Sequence, residues 1–313
     1  MSGASARLLA RCLGLADDAR LVVAHQDDVG MCHGANVAFA RLAGRGFITC
    51  GSVMVPCPWF REVVPIADEN PAIDIGVHLT LTSEWEHYRW RPISTSSRTS
   101  GLIDGDGFMW RRVPMLREHL VVEAAEAEMR AQIDAALAAG LGVTHLDTHM
   151  GAALTPELVD VYVRLGRDYG LPVLFPRGTS GYVEALNMGE VEPAIYDGRA
   201  AEIEAAGNPV VDHVAMTPGG PSEESDQAYR DLVGAVPPGL SFLAFHCCAP
   251  GDIEAIVPPR AHCRTDEFRI FQDGQFLDWV AGTGIHLIGF REIEKLMMDG
   301  GRLRGAGENT SWR

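Results

Sequence analysis

The sequence predicts an α/β fold built on a parallel sheet, and two observations carry that prediction. Short apolar runs alternate with helical patterns from end to end, which is the signature of repeated βα units. Eight such runs are candidate strands, a number compatible with a barrel. With 313 residues and 47% apolar content, the chain can bury one large core or two modest ones.

The first strand is the apolar run Leu21 to Ala24, and Gly30 permits a tight turn before a helix that begins near His33. Further strands are expected at Ile48 to Val55, Ile73 to Leu81, Gly142 to His149, Pro172 to Phe175, Val210 to Ala215, Ser241 to His246 and Ile285 to Phe290. The firmest helices are Glu118 to Ala139, alanine-rich and stopped by Gly140, and Pro156 to Tyr169. In the second, Thr155 is placed to cap the helix, Pro156 takes the first helical position, and Gly170 then Pro172 end it. A last helix is expected from Arg291 to Met298. Ser83 to Pro114 and Arg177 to Gly207 are too long for ordinary connections and are expected to be substrate loops or small excursions, not separate domains. The glycine-rich, polar tail from Gly300 to Arg313 is expected to be mobile.

Charge narrows the partners. Lys and Arg number 26 against 42 Asp and Glu, a net charge of −16. Such a surface repels phosphate backbones and anionic lipid, so nucleic acid and membrane are not expected, and a neutral or cationic small substrate fits better. The seven cysteines form no C-x-x-C pair and read as reduced thiols of a cytoplasmic protein. Arg11 interrupts the apolar segment Arg7 to Leu15, which is too short and too charged for the core of a signal peptide. No stretch approaches the roughly 20 apolar residues that span a bilayer.

Chemistry concentrates at strand ends. Asp27 and Asp28 follow the first strand, at the edge where open α/β sheets and barrels build their sites; the plain alternative is that Asp28 caps the next helix and Asp27 is solvated. In Gly76 to Thr82, alternation puts Val77, Leu79 and Leu81 on one face and His78, Thr80 and Thr82 on the other. His78 is then either a functional group or a hydrogen-bonded core histidine. In Val143 to His149, alternation puts His145, Asp147 and His149 on one side of a strand. Same-face neighbours stand about 6.8 Å apart, so one metal cannot take all three unless the strand bends. The economical arrangement has one histidine on a metal and His145 and Asp147 around it, with a carboxylate fixing an imidazole tautomer.

Asp28, His78 and His149 together offer one carboxylate and two imidazoles, a set suited to zinc, iron, cobalt or nickel, with manganese or magnesium admissible. Asp27 could then take a proton from a water in the open position, provided the backbone turns at Asp28. His246 ends the strand Ser241 to His246 before a Pro-Gly turn, and its near-neutral intrinsic pKa suits proton donation. Arg264 could orient a carboxylate or belong to a surface ion pair. Trp85, Trp90 and Trp110 in the first long segment could offer aromatic faces to a ligand or anchor the loop.

In this order, Asp27-Asp28-Val29-Gly30, Gly76 to Leu81, Thr144 to His149, His246 with Pro250-Gly251, and Arg264-Thr265-x-Glu267 resemble the YdjC-like carbohydrate deacetylases, a group that includes chito-oligosaccharide deacetylase and the hopanoid-associated deacetylases. The resemblance runs from residue 21 to about 295. It implies a single-domain, irregular TIM-like (β/α) barrel of seven or eight parallel strands over residues 1–313, and metal-dependent hydrolysis of an N-acetyl group on a sugar. By that resemblance Asp27 is the general base, Asp28, His78 and His149 hold one divalent ion, zinc or magnesium foremost, His246 is the general acid, and Arg264 lies near the site. The chain departs from the family pattern in three places: His25-Gln26 replace Asn-Ala, Val29 replaces an aromatic residue, and Met150 stands where a further histidine often follows His149. The partner implied is a small N-acetylated sugar, with self-association left open. Two other readings are a metal-free glycosidase that pairs Asp27 or Asp28 with Asp147, and a non-catalytic sugar- or metal-binding barrel.

Overall fold

A computed structural model describes residues 3–178, 186, 188–192, 194–296, 298–299 and 302–303. Its central strand is β1 (Arg20–Val29), longer than the apolar run that predicts it. Around it stand β2 (Cys50–Val53), β3 (Ile75–Leu79), β4 (Val143–Thr148), β5 (His213–Met216), β6 (Gly239–Phe245) and β7 (Ile285–Leu287). All pairings among these seven are parallel, in the order β4-β3-β2-β1-β6-β5. The amino half of β1 pairs with β7 and its carboxyl half with β2, so β1 is shared lengthwise.

The expected strand Pro172 to Phe175 forms no ladder. Instead Val173 bridges to Leu146 and Pro176 to Val211, each as a single parallel contact. These two bridges, with the pairing of β5 on β6, bring the path of backbone bonds round to β1 again. One apolar cluster fits the interior of such a ring: Leu21 and Val23 of β1, Cys50, Leu174, Val211, and Leu240, Phe242 and Ala244 of β6. It is closed by Ala6, Leu9 and Ala10 of α1 (Ala4–Cys12) and by Phe290 and Ile293 of α12 (Phe290–Leu296). Val22 and Ala24, the alternate residues of β1, belong to the larger cluster under the outer helices.

The outer helices are α2 (His33–Leu42), α3 (Phe60–Glu69), α4 (Val113–His119), α5 (Val122–Ala138), α6 (Val159–Tyr169), α7 (Ala194–Ala205), α8 (Ser225–Gly234), α9 (Ile253–Ile256), α10 (Ala261–Phe271) and α11 (Gly274–Gly282). The helix expected over Glu118 to Ala139 is broken, because Leu120 and Val121 leave helical geometry. No glycine or proline marks that break; His119 stacks on Trp110 with ring centroids 4.1 Å apart, a tertiary contact that local propensity does not encode. The next helix starts at Val159 rather than Pro156, since the Leu158 and Val159 amides bond the Thr155 carbonyl in a turn and the Thr155 hydroxyl donates to Ala152. The final helix begins one residue earlier than predicted.

Of the two long segments, the first is an irregular loop held against α5. Glu128 accepts the Ile93 and Ser94 amides, and Gln132 bonds both the amide and carbonyl of Thr80. In the second, α7 occupies much of what was expected to be loop, and residues 179–185, 187 and 193 lie outside the described residues. The tail from Gly300, predicted to be mobile, also lies outside them, except for 302–303, which pair with 298–299. All seven cysteines are free thiols. Among the described residues, no helix is long and apolar enough to cross a membrane.

Candidate active site

Leu21, Val23, His25 and Asp27 share one face of β1, so the alternation that fills the ring interior carries His25 and Asp27 inward at the carboxyl end. By the same rule Asp28 would face the outer helices. It does not, because its backbone is left-handed at φ 61° and the register with β2 slips between Gln26 and Val29. Aspartate tolerates that conformation better than most residues. Adjacent carboxylates thus line one cleft, and Asp28 caps nothing. The first amides of α2, at His33 and Gly34, are met instead by Asp252, 3.0 and 3.4 Å away.

Asp28 is buried between a guanidinium and two imidazoles. Its Oδ2 lies 2.8 Å from an Arg264 guanidinium nitrogen; its Oδ1 lies 3.2 Å from His149 Nδ1 and 3.6 Å from His78 Nε2. Burial opposes its ionisation, but Arg264 and His149 outweigh burial and hold the carboxyl well below its ordinary range. Arg264 is therefore an inward-facing ion partner rather than a surface one.

Behind the histidines stand further carboxylates. Asp147 Oδ2 lies 2.8 Å from His78 Nδ1, and Glu84 Oε2 lies 2.9 Å from His149 Nε2. His149 is turned off the β4 face by a bend, with Met150 at φ 53° and Gly151 at φ 69°. Burial works against its imidazolium, yet Glu84 and Asp28 push it up to about 10. His145 does not reach this group; its Nε2 is 2.9 Å from His25 Nε2. The same-face trio of β4 thus serves three different partners.

His246 stands across the cleft. Its Nδ1 is 2.9 Å from Thr217 Oγ1, whose hydroxyl donates to Glu267 at 2.6 Å. Since that hydroxyl's one proton goes to Glu267, its oxygen accepts from His246 Nδ1–H, leaving Nε2 bare. Burial and the Arg264 guanidinium push His246 down to about 4. Glu267 also accepts from Tyr229 and from the His246 amide, and burial raises it to about 7.

Apart from His25, His145, Tyr229 and Glu267, which lie behind it, these groups line a cleft of about 230 Å³ together with Trp85, Met150, Arg260 and Cys263. Trp90 and Trp110 do not; each donates its indole N–H to a backbone carbonyl, at Thr82 and Gly101, and anchors the long loop. A larger groove of about 430 Å³ lies against α6 and α7, but it carries none of the residues described above.

Asp28, His78 and His149 place one ligand atom each within 4.8 Å of one another, all buried. Asp28 Oδ1, which points at both imidazoles, makes no well-formed hydrogen bond among the described residues. A buried acceptor left open between two nitrogen donors fits a divalent cation. Glu84 was not foreseen, although the alternation through His78, Thr80 and Thr82 continues to it. Thr217 and Tyr229 carry no sequence signal of their own.

The family model described as YdjC-like protein matches residues 21–282. The chain belongs to the YdjC-like family. This YdjC-like chain is 35% identical over 232 residues to a carbohydrate deacetylase of Thermus thermophilus, covering 74% of this chain and 78% of that protein. To a carbohydrate deacetylase of Brevibacillus brevis it is 31% identical over 158 residues, 50% of this chain and 59% of that one. Its fold is shared with a putative cellobiose-phosphate cleavage protein of Enterococcus faecalis, at a TM-score of 0.68 and 21% identity, covering 90% of the YdjC-like chain and all of the other.

Proposed function

We propose that this chain hydrolyses the N-acetyl group of an amino sugar or N-acetylated oligosaccharide, releasing acetate, with one divalent ion held by Asp28, His78 and His149. The observation that carries the reading is the open Asp28 Oδ1 between two buried imidazoles, on the same cleft as Asp27 and His246. Both relatives described above are carbohydrate deacetylases by name, which supports the substrate class. A divalent ion there would supply Lewis acidity toward the acetyl carbonyl and acidify a water beside it.

The chain's own groups account for the protons. Asp27 Oδ1 is engaged by His25 at 2.6 Å, which leaves Oδ2, 4.0 Å from His78 Nε2, to accept the proton of the attacking water. The new C–O bond forms and the C–N bond breaks only if the amine leaves protonated, because an amine anion is too basic to depart. His246 is the group placed to deliver that proton. Neutral at rest, with Nε2 bare, it takes up the proton that Asp27 received from the attacking water as negative charge develops on the tetrahedral centre, then passes it to the nitrogen, so both groups end as they began. Arg264 keeps Asp28 ionised and fixed. Trp85, whose ring lies 6.0 Å from the Arg264 guanidinium carbon, gives the cleft one aromatic wall for a sugar.

A metal-free glycosidase needs two carboxyl groups facing each other across an open cleft. Asp147, the second carboxylate for that reading, is buried and occupied by His78. The test is acetate release from a panel of N-acetylated mono- and oligosaccharides, abolished by a chelator and restored by Zn²⁺ or Mg²⁺. Cleavage of glycosidic bonds that a chelator does not affect would overturn the proposal.

A further inference from the structure

Behind Asp27 runs a line of buried polar groups of which the reaction above uses only the first bond, from His25 to Asp27. His25 Nδ1 is 2.6 Å from Asp27 Oδ1, His25 Nε2 is 2.9 Å from His145 Nε2, and His145 Nδ1 is 2.9 Å from Thr144 Oγ1. Thr144 Oγ1 is in turn bonded to Asp74 Oδ1. Asp74 immediately precedes β3, so the line runs from the carboxyl edge, where the cleft lies, to a strand's amino end. His25, His145 and Thr144 are at most 1% exposed and Asp74 6%.

Room has been left for it. A Cβ on Gly76 would stand 2.5 Å from His145 Nε2, and one on Gly289 would collide with Asp74 Oδ2. His145 is stacked on Phe290 with ring centroids 3.9 Å apart, and His25 packs against Phe242 at 4.9 Å. Such walls fix ring planes and leave a tautomer to be chosen by hydrogen bonds alone.

Counting protons leaves few solutions. Thr144 has one hydroxyl proton and three neighbours, Asp74 Oδ1, His145 Nδ1 and, at 3.2 Å, the Ile75 carbonyl. If it donates to Asp74 or to the Ile75 carbonyl, its oxygen must accept from His145 Nδ1–H. His145 Nε2 is then bare and accepts from His25 Nε2–H, and His25 needs a second proton to donate to Asp27. That solution buries an imidazolium against Phe242, Phe290 and a neutral His145, with Asp27 at 2.6 Å and Asp147 at 3.9 Å as its counter-charges. If instead Asp74 carries a proton, it donates to Thr144, Thr144 to His145 Nδ1, His145 Nε2–H to His25 Nε2, and His25 Nδ1–H to Asp27. Every bond then has one proton and both rings are neutral. Burial depresses His145, which is neutral in both solutions, and raises Asp74, which favours the second.

We infer that His25 is a positioning residue for Asp27, held in its Nδ1–H tautomer by a one-way chain of hydrogen bonds that starts at a protonated Asp74 and passes through Thr144 and His145. By taking Oδ1, His25 fixes the rotation of the Asp27 carboxylate and leaves Oδ2 to the cleft. The catalytic consequence rests on the deacetylase reading; the chain of bonds does not.

The test is Thr144→Val, which removes one hydroxyl at nearly constant shape and far from the cleft, with Thr144→Ser as the conservative control. In ¹⁵N-histidine NMR of the full chain, wild type is expected to show His25 protonated at Nδ1 and His145 at Nε2. Thr144→Val should mix both tautomers, lower kcat about tenfold and leave KM and metal content unchanged, while Thr144→Ser restores the wild-type pattern and rate. A wild-type His25 protonated at Nε2 or at both nitrogens overturns the inference, as does a Thr144→Val enzyme with wild-type kcat. Should wild type release no acetate from any N-acetylated sugar, the deacetylase reading fails, and the tautomers still decide the chain of bonds.

Discussion

His78 Nδ1 and Asp147 Oδ2 lie 2.8 Å apart with both side chains buried, so a buried carboxylate decides which His78 nitrogen is free. Burial disfavours the His78 imidazolium, but Asp147 more than compensates and holds the ring above its ordinary pKa. Asp147→Asn replaces a pure acceptor with an amide that can also donate, and the ring can then turn the wrong nitrogen inward. Affinity for Zn²⁺ is expected to fall about 10–100-fold. Equilibrium dialysis would check this, and undiminished affinity would remove Asp147 from the account.

The proton acceptor and a metal ligand should separate cleanly. Asp27→Asn is expected to keep full metal content while kcat drops by about 10²–10⁴. His78→Ala should lose the metal itself. Elemental analysis of both purified variants alongside kinetics distinguishes the roles; a fully loaded site in His78→Ala contradicts the ligand assignment.

Metal binding should depend on pH through His149. Glu84 and Asp28 raise it to about 10, so at neutral pH the metal-free protein carries a proton that the cation must displace. A raised histidine pKa means more competition at lower pH, so affinity should climb about tenfold per pH unit from neutrality and level off as pH passes the His149 value. Glu84→Gln lowers that pKa and should flatten the dependence. Titrations at several pH values would show it, and a slope unchanged in Glu84→Gln would count against Glu84.

The seam where Val173 bridges to Leu146 has one side-chain tie of note. The Tyr162 hydroxyl is 2.9 Å from the Leu146 carbonyl and 3.0 Å from the Leu174 carbonyl. Tyr162→Phe removes the donor but keeps the ring, and should cost about 1 kcal/mol in urea unfolding. Unaltered stability would mean the backbone bridges hold the seam unaided.

Most strands were legible because a parallel strand buried on both faces needs a continuous apolar run, as at Leu21 to Ala24 and Ser241 to Phe245. His78 and His149 were legible for a different reason: each interrupts such a run with a group that must have a partner there. Other features depended on distant contacts. The break at Leu120 and Val121 sits next to a residue stacked on Trp110, and Pro172 to Phe175 makes only a bridge on either side. Asp74 and Thr144 lie within expected strands and carry no signal of their own; only the fold sets them beside His145. That Asp28 would have to turn was readable from its neighbour, since adjacent strand residues face opposite ways; how it turns was not.

The left-handed backbone at Asp28 makes position 28 a place where protein abundance and activity part company in a saturation library. Glycine and asparagine suit that backbone but leave the buried Arg264 guanidinium without its carboxylate, so cells should accumulate both less well than wild type yet better than any β-branched variant. Valine or isoleucine at the same residue should be depleted from the folded pool, because branching at Cβ conflicts with a positive φ. Only aspartate should survive selection for turnover, and the asparagine variant, folded yet inert, is the reagent for trapping an intact substrate.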